Sequence, residues 1–109
     1  MKDPRLVRLA VLAGMIRDHE LGQLRARAEA MAQTRAHLAG LATAPPADTA
    51  DMALMLADLR HQQWAEARRR DLNTTLARQT AEWMTAQDAA RAAFGRAEAL
   101  ARLRDGKRR

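Results

Sequence analysis

The chain has no cysteine and no tyrosine, and its aromatic content is 3%, carried by Trp64, Trp83 and Phe94. Without cysteine there can be no disulfide framework, no thiolate zinc site and no cysteine nucleophile, a usage that fits a reducing compartment. So few aromatic residues leave too little bulk for the layered core of an ordinary globular fold. β-Branched residues are scarce and apolar and polar residues never alternate over a strand's length, so no sheet is expected. There is no long apolar run either. Leu6 to Ile16 is interrupted only by Arg8, but as a helix it would span about 16 Å, roughly half of a bilayer's hydrocarbon core. Lys2, Arg5 and Arg8 give that run the flank of an export signal. Arg17, Asp18 and Glu20 follow it at once, however, and the helical pattern continues through them, so it reads as part of a longer helix.

What the chain does contain is 48% hydrophobic residues, mostly alanine, and 29% charged residues in a length of 109. Alanine, arginine, leucine and glutamine dominate, all good helix formers, and the apolar share excludes a disordered composition. One domain at most is expected. Net charge is +6, which raises nucleic acid or an acidic surface as a partner. The distribution says more than the total. Residues 1–40 carry seven basic and four acidic side chains (+3), 41–66 one and four (−3), and 67–109 eleven and five (+6).

Helix-stopping chemistry gathers in one place, "LAGLATAPPAD", residues 38–48. Before it, Asp3 and Pro4 suit the N-cap and first turn of a helix. Val7, Ala10, Gly14, Leu21, Leu24, Ala28, Met31 and Leu38 then recur at heptad spacings, interrupted at the same phase by Arg17 and Arg35. Gly40 followed by Leu41 predicts a left-handed cap, and Pro45 and Pro46 prevent continuation. Asp48 is the expected N-cap of a second helix, with Asp51 three residues on. From there no proline occurs, and the seam reads Met55, Leu59, Ala65, Leu72, Leu76, Trp83, Ala86, Ala90, Ala93 or Phe94, Ala97 and Leu100, slipping phase between His61 and Arg70.

These features predict an all-α fold, an antiparallel two-helix coiled-coil hairpin with the longer helix second: helix about 4–40, loop about 41–47, helix about 48–105. Folding about residues 44 and 45 pairs positions whose numbers sum to about 89, which sets Pro4 beside Thr85 and leaves residues 86–105 as a bare overhang with its apolar stripe exposed. Near the base Leu6, Leu9, Ala13 and Ile16 form a second stripe beside Val7, Ala10 and Gly14, more than one partner helix covers. Overhang and base together predict a protein partner, self-association included.

Catalysis is not expected, because no nucleophile, base and orienting group can converge and a two-helix hairpin offers no pocket for them. His19, His37 and His61 do not converge as metal ligands; solvated histidine is the simpler reading, and no cofactor is expected. Asn73-Thr74-Thr75 fits a glycosylation sequon, but in mid-helix and without an export signal. Trp64 has two readings: an indole seated over Gly22, or an exposed anchor beside Arg68, Arg69 and Arg70. That triplet and the terminal Lys107-Arg108-Arg109 could bind phosphates, but the interleaved aromatics of a nucleic-acid module are missing, and a solvated face is the simpler account.

The run "RAAFGRAEALARLRD", with "RLVRLAVLAGMIRDHELGQLRARAEAMAQTRAHLAGL" at the start, resembles the FliJ and YscO family of type III secretion stalk proteins. The resemblance rests on the "EL..LRA" segment of the first helix and on a last helix reading basic, x, Glu, x, Leu, x, basic, Leu. It covers most of the chain, which is shorter than members usually are. It implies a cytoplasmic hairpin that enters the hexameric export ATPase and touches the export gate, with Arg96, Glu98, Leu100, Arg102 and Leu103 as the contact residues. Phe94 and Trp64 are further candidates for partner contact. The alternatives are a self-associating helical scaffold or chaperone-like adaptor and, third, a basic helical nucleic-acid binder.

Overall fold

The computed structural model describes residues 3–41 and 51–106. They form two helices, α1 (Pro4–Leu41) and α2 (Met52–Arg104), of 38 and 53 residues. The fold is an all-α antiparallel hairpin with the longer helix second. Asp3 opens α1: its Oδ1 accepts the Arg5 N–H at 2.9 Å and its carbonyl accepts the Val7 N–H at 3.1 Å, with Pro4 in the first turn.

Asp51 does the same for α2, its Oδ1 accepting from the Ala53 N–H at 2.9 Å and its carbonyl from the Met55 N–H at 3.0 Å. The cap expected at Asp48 lies outside the described residues, and the second helix begins at Met52. At the other end Gly106, with φ of 68°, takes the left-handed conformation that stops α2 just after Arg102 and Arg104, two cations placed at the negative end of the helix dipole. The left-handed cap predicted at Gly40 is not formed. Among the described residues Gly106 is the only glycine with positive φ, and α1 runs through Gly40 to Leu41. Leu41, the last residue of α1, lines a groove with Asp58, His61 and Ala65 of α2.

The two helices divide into two compact units, Met1–Glu29 with Ala81–Arg109 and Ala30–Thr80. In the first, the buried side chains are alanines: Ala10 of α1 and Ala90, Ala93 and Ala97 of α2, Ala93 being only 1% exposed. Such small residues let the helix axes approach closely. Arg27 lies 3.9 Å from Glu82 across the pair, and Leu9, Leu12, Ala13 and Ile16 share a groove with Ala93, Arg96 and Leu100.

In the second unit Met31, Thr34, Ala65 and Leu72 are buried. Thr34 Oγ1 lies 3.1 Å from the Ala30 carbonyl and 2.7 Å from Gln79 Oε1. A hydroxyl has one proton to give. If it goes to the carbonyl, the Gln79 amide turned over donates its own N–H to Oγ1, and both groups are satisfied.

These contacts correct the register. Arg27 and Glu82 have numbers summing to 109 and Thr34 and Gln79 to 113, against the 89 expected from a turn at residues 44 and 45. Thr85 is therefore not the neighbour of Pro4, and residues 86–105 are no overhang: Ala90, Ala93 and Ala97 are among the most buried side chains of the chain. The physical reason lies in the polar stretch of α2. Pairing α1 with the first half of α2 would press Asp58, His61, Gln62 and Arg69 into the seam, and burying unpaired polar groups costs several kcal/mol, roughly 1 to 3 for each neutral group. Sliding α1 toward the C-terminal half replaces them with Leu72, Leu76, Ala86, Ala90, Ala93 and Ala97. The side chains left uncovered are then at the start of α2.

Candidate functional site

The C-terminal residues singled out by the sequence are distributed over several faces of α2. Arg96 and Leu100 come together in the groove lined by Leu9, Leu12, Ala13, Ile16 and Ala93. Glu98 and Arg102 point elsewhere and pair with each other at 3.1 Å, both largely exposed. An exposed pair one turn apart contributes only about 0.3 to 0.5 kcal/mol, so it leaves both groups ready for exchange with a partner. Leu103 is exposed, and Phe94 is half exposed beside a second groove with Leu21, Leu24, Gln87, Ala90, Arg91 and Gly95. Helical spacing accounts for the split, because residues 96, 100 and 103 share one side of α2 while 98 and 102 share another.

Trp64 is 56% exposed, and its ring centroid lies 5.7 Å from that of His61 with the planes tilted by 32°. The space at Gly22 is open: a Cβ there would meet nothing within 4 Å. Of the neighbouring arginines, Arg69 is tied to Glu66 at 2.7 Å, whereas Arg68 and Arg70 are exposed and form no ion pair with the described residues. Arg60 and Arg68 stand one turn before and one turn after Trp64 on the same face, which makes an aromatic side chain flanked by two cations.

Sequence reasoning missed one exposed apolar face. Met52, Met55, Leu56 and Leu59 are each about half exposed or more and line a shallow groove with Asp58 and Gln62. Met55 and Leu59 read as the beginning of the seam, which the misplaced register set against α1, while Met52 and Leu56 fall outside that pattern. Of the second stripe expected on α1, Leu9 and Ile16 are exposed while Leu6 and Ala13 are half-buried, and Val11, Leu12 and Met15 are exposed beside them.

Among the described residues no group of three or more His, Asp or Glu is placed to hold a metal ion, and no helix is long and apolar enough to cross a membrane. Asn73 and Thr74 lie within α2, the Thr74 hydroxyl donating to the Arg70 carbonyl at 3.1 Å. No family model, curated protein or solved structure matches the chain.

Proposed function

We propose that this chain is a non-enzymatic coiled-coil adaptor that works by presenting helical faces to other proteins, as the stalk of a flagellar or related type III export apparatus. The observation that carries the reading is the exposure of bulky apolar side chains in stripes: Leu9, Leu12 and Ile16 on α1, and Met52, Met55, Leu56 and Leu59 on α2. Stripes of this kind are recognition surfaces for other helices. The export assignment is supported by the C-terminal pattern of Arg96, Glu98, Leu100, Arg102 and Leu103. Its mechanism is differential binding: the hairpin favours those arrangements of the ATPase ring, and of the export gate, that offer it more contact, and so shifts their populations.

The test is to purify the chain with the export ATPase of its host and measure ATP turnover at less than one hairpin per ring. Stimulated turnover and comigration are expected. Unchanged turnover without comigration removes the stalk reading and leaves the scaffold or chaperone-like adaptor, which the same exposed stripes favour. A nucleic-acid role predicts binding to random DNA at low ionic strength that falls steeply with salt.

A further inference from the structure

We propose that the apolar stripe at the start of α2 docks into the groove between α1 and α2 of a second copy of this chain, head to tail. Met52, Met55, Leu56 and Leu59 stand at positions i, i+3, i+4 and i+7, the anchor pattern of a helix laid in an apolar groove. Around them the helix is apolar on nearly every side, with Ala53, Leu54 and Ala57 completing the turns. A helix apolar all round is one that is buried in its working state.

The groove has the matching form. Its walls are Leu9, Leu12, Ile16 and Leu100, and its floor is the small side chains of Ala13 and Ala93. Along α1 it runs from residue 9 to residue 16, and the stripe runs from 52 to 59. Each is therefore about 10 Å long at 1.5 Å per residue.

Charge selects the occupant. Asp51 and Asp58 border the stripe, seven residues apart on one flank, within the stretch 41–66 that carries −3. Arg96 lines the groove, Arg5 and Arg8 stand one turn before its Leu9 and Leu12 on α1, and the guanidiniums of all three are without a carboxylate partner among the described residues. Each copy thus offers one acidic apolar ridge and one basic apolar groove, and complementary rims of this kind steer association and fix its polarity. Because ridge and groove are different surfaces, the contact is heterologous, and each copy keeps a free ridge or groove for the next. This contact needs no export ATPase and stands independently of the stalk reading.

Sedimentation equilibrium over a range of concentrations tests it with two variants of the full chain, Leu56→Asp in the ridge and Leu12→Asp in the groove. Both positions are about half exposed, so far-ultraviolet circular dichroism should show both variants folded. The unaltered chain is expected to gain mass with concentration, and each variant alone to stay monomeric. An equimolar mixture of the two should form a species of twice the monomer mass and no larger, since it holds one intact ridge and one intact groove. An unaltered chain that is monomeric throughout, as it would be if these faces served a different protein, overturns the proposal. So does a variant that associates as well as the unaltered chain, or a mixture that remains monomeric.

Discussion

Replacing Leu72 and Leu59 by alanine, one at a time, should separate two leucines that occupy equivalent places in the heptad pattern. Leu72 is 5% exposed and Leu59 is 50% exposed. A buried Leu→Ala change costs about 2 to 5 kcal/mol, the transfer of the lost carbons plus the cavity they leave. In a seam between only two helices the surroundings can close in partly, so the cost at Leu72 should fall in the lower half of that range, about 2 to 3 kcal/mol. At Leu59 the groove neighbours among the described residues all belong to α2 itself, so no cavity opens between helices and the cost should stay within about 0.5 kcal/mol. Helix propensity favours alanine over leucine only slightly and does not reverse the order. The assay is urea unfolding followed by far-ultraviolet circular dichroism at dilute protein, with the midpoint shifting and the slope unchanged. Equal costs at the two sites, or a larger cost at Leu59, would refute the register.

The Thr34 and Gln79 pair should behave as a coupled unit. Thr34→Val alone is expected to cost about 0.5 to 1.5 kcal/mol, because Gln79 loses its partner, while Thr34→Val with Gln79→Leu should recover to the parent stability or exceed it. Denaturant midpoints of the two single variants and the double variant give the coupling, and additive effects would contradict the contact. Loss of the cap in Asp51→Ala should cost about 1 kcal/mol and fray the first turns of α2, with Asp51→Asn retaining most of it. Amide hydrogen exchange at residues 53–56 checks this, and unchanged protection there would count against Asp51 as the cap.

The two helices were legible in the sequence because capping and periodicity are local: Asp3 and Pro4 open α1 as their chemistry requires, and nothing between Met52 and Arg104 can stop α2. Register is not local. It depends on the whole of one seam against the other, and the position of the double proline says only that the chain turns, not where the turned helix first meets its partner. The informative signal was present in the slip of phase between His61 and Arg70. A seam that becomes polar there marks a stretch poorly suited to burial, and it moves α1 toward Leu72 and the alanines beyond. Gly40 misled because a glycine near a helix end takes the left-handed conformation only where the chain leaves the helix there, and α1 continues to Leu41. Of the candidate site, helical phase made the exposure of Leu9 and Ile16 legible, but it left Trp64 open between a seat over Gly22 and an exposed anchor. The ridge from Met52 to Leu59 was hidden behind the register, since Met55 and Leu59 serve as seam or as free surface according to where α1 lies.

The central claim is that α1 faces the C-terminal half of α2, and paired cysteines introduced into this cysteine-free chain test it most directly. Thr34→Cys with Gln79→Cys should be joined within one chain by a short bifunctional thiol cross-linker at dilute protein, because Thr34 Oγ1 and Gln79 Oε1 meet at 2.7 Å, whereas Thr34→Cys with Met55→Cys should not be joined. Cross-linking of the Thr34 and Met55 pair, with the Thr34 and Gln79 pair left unjoined, would contradict the account.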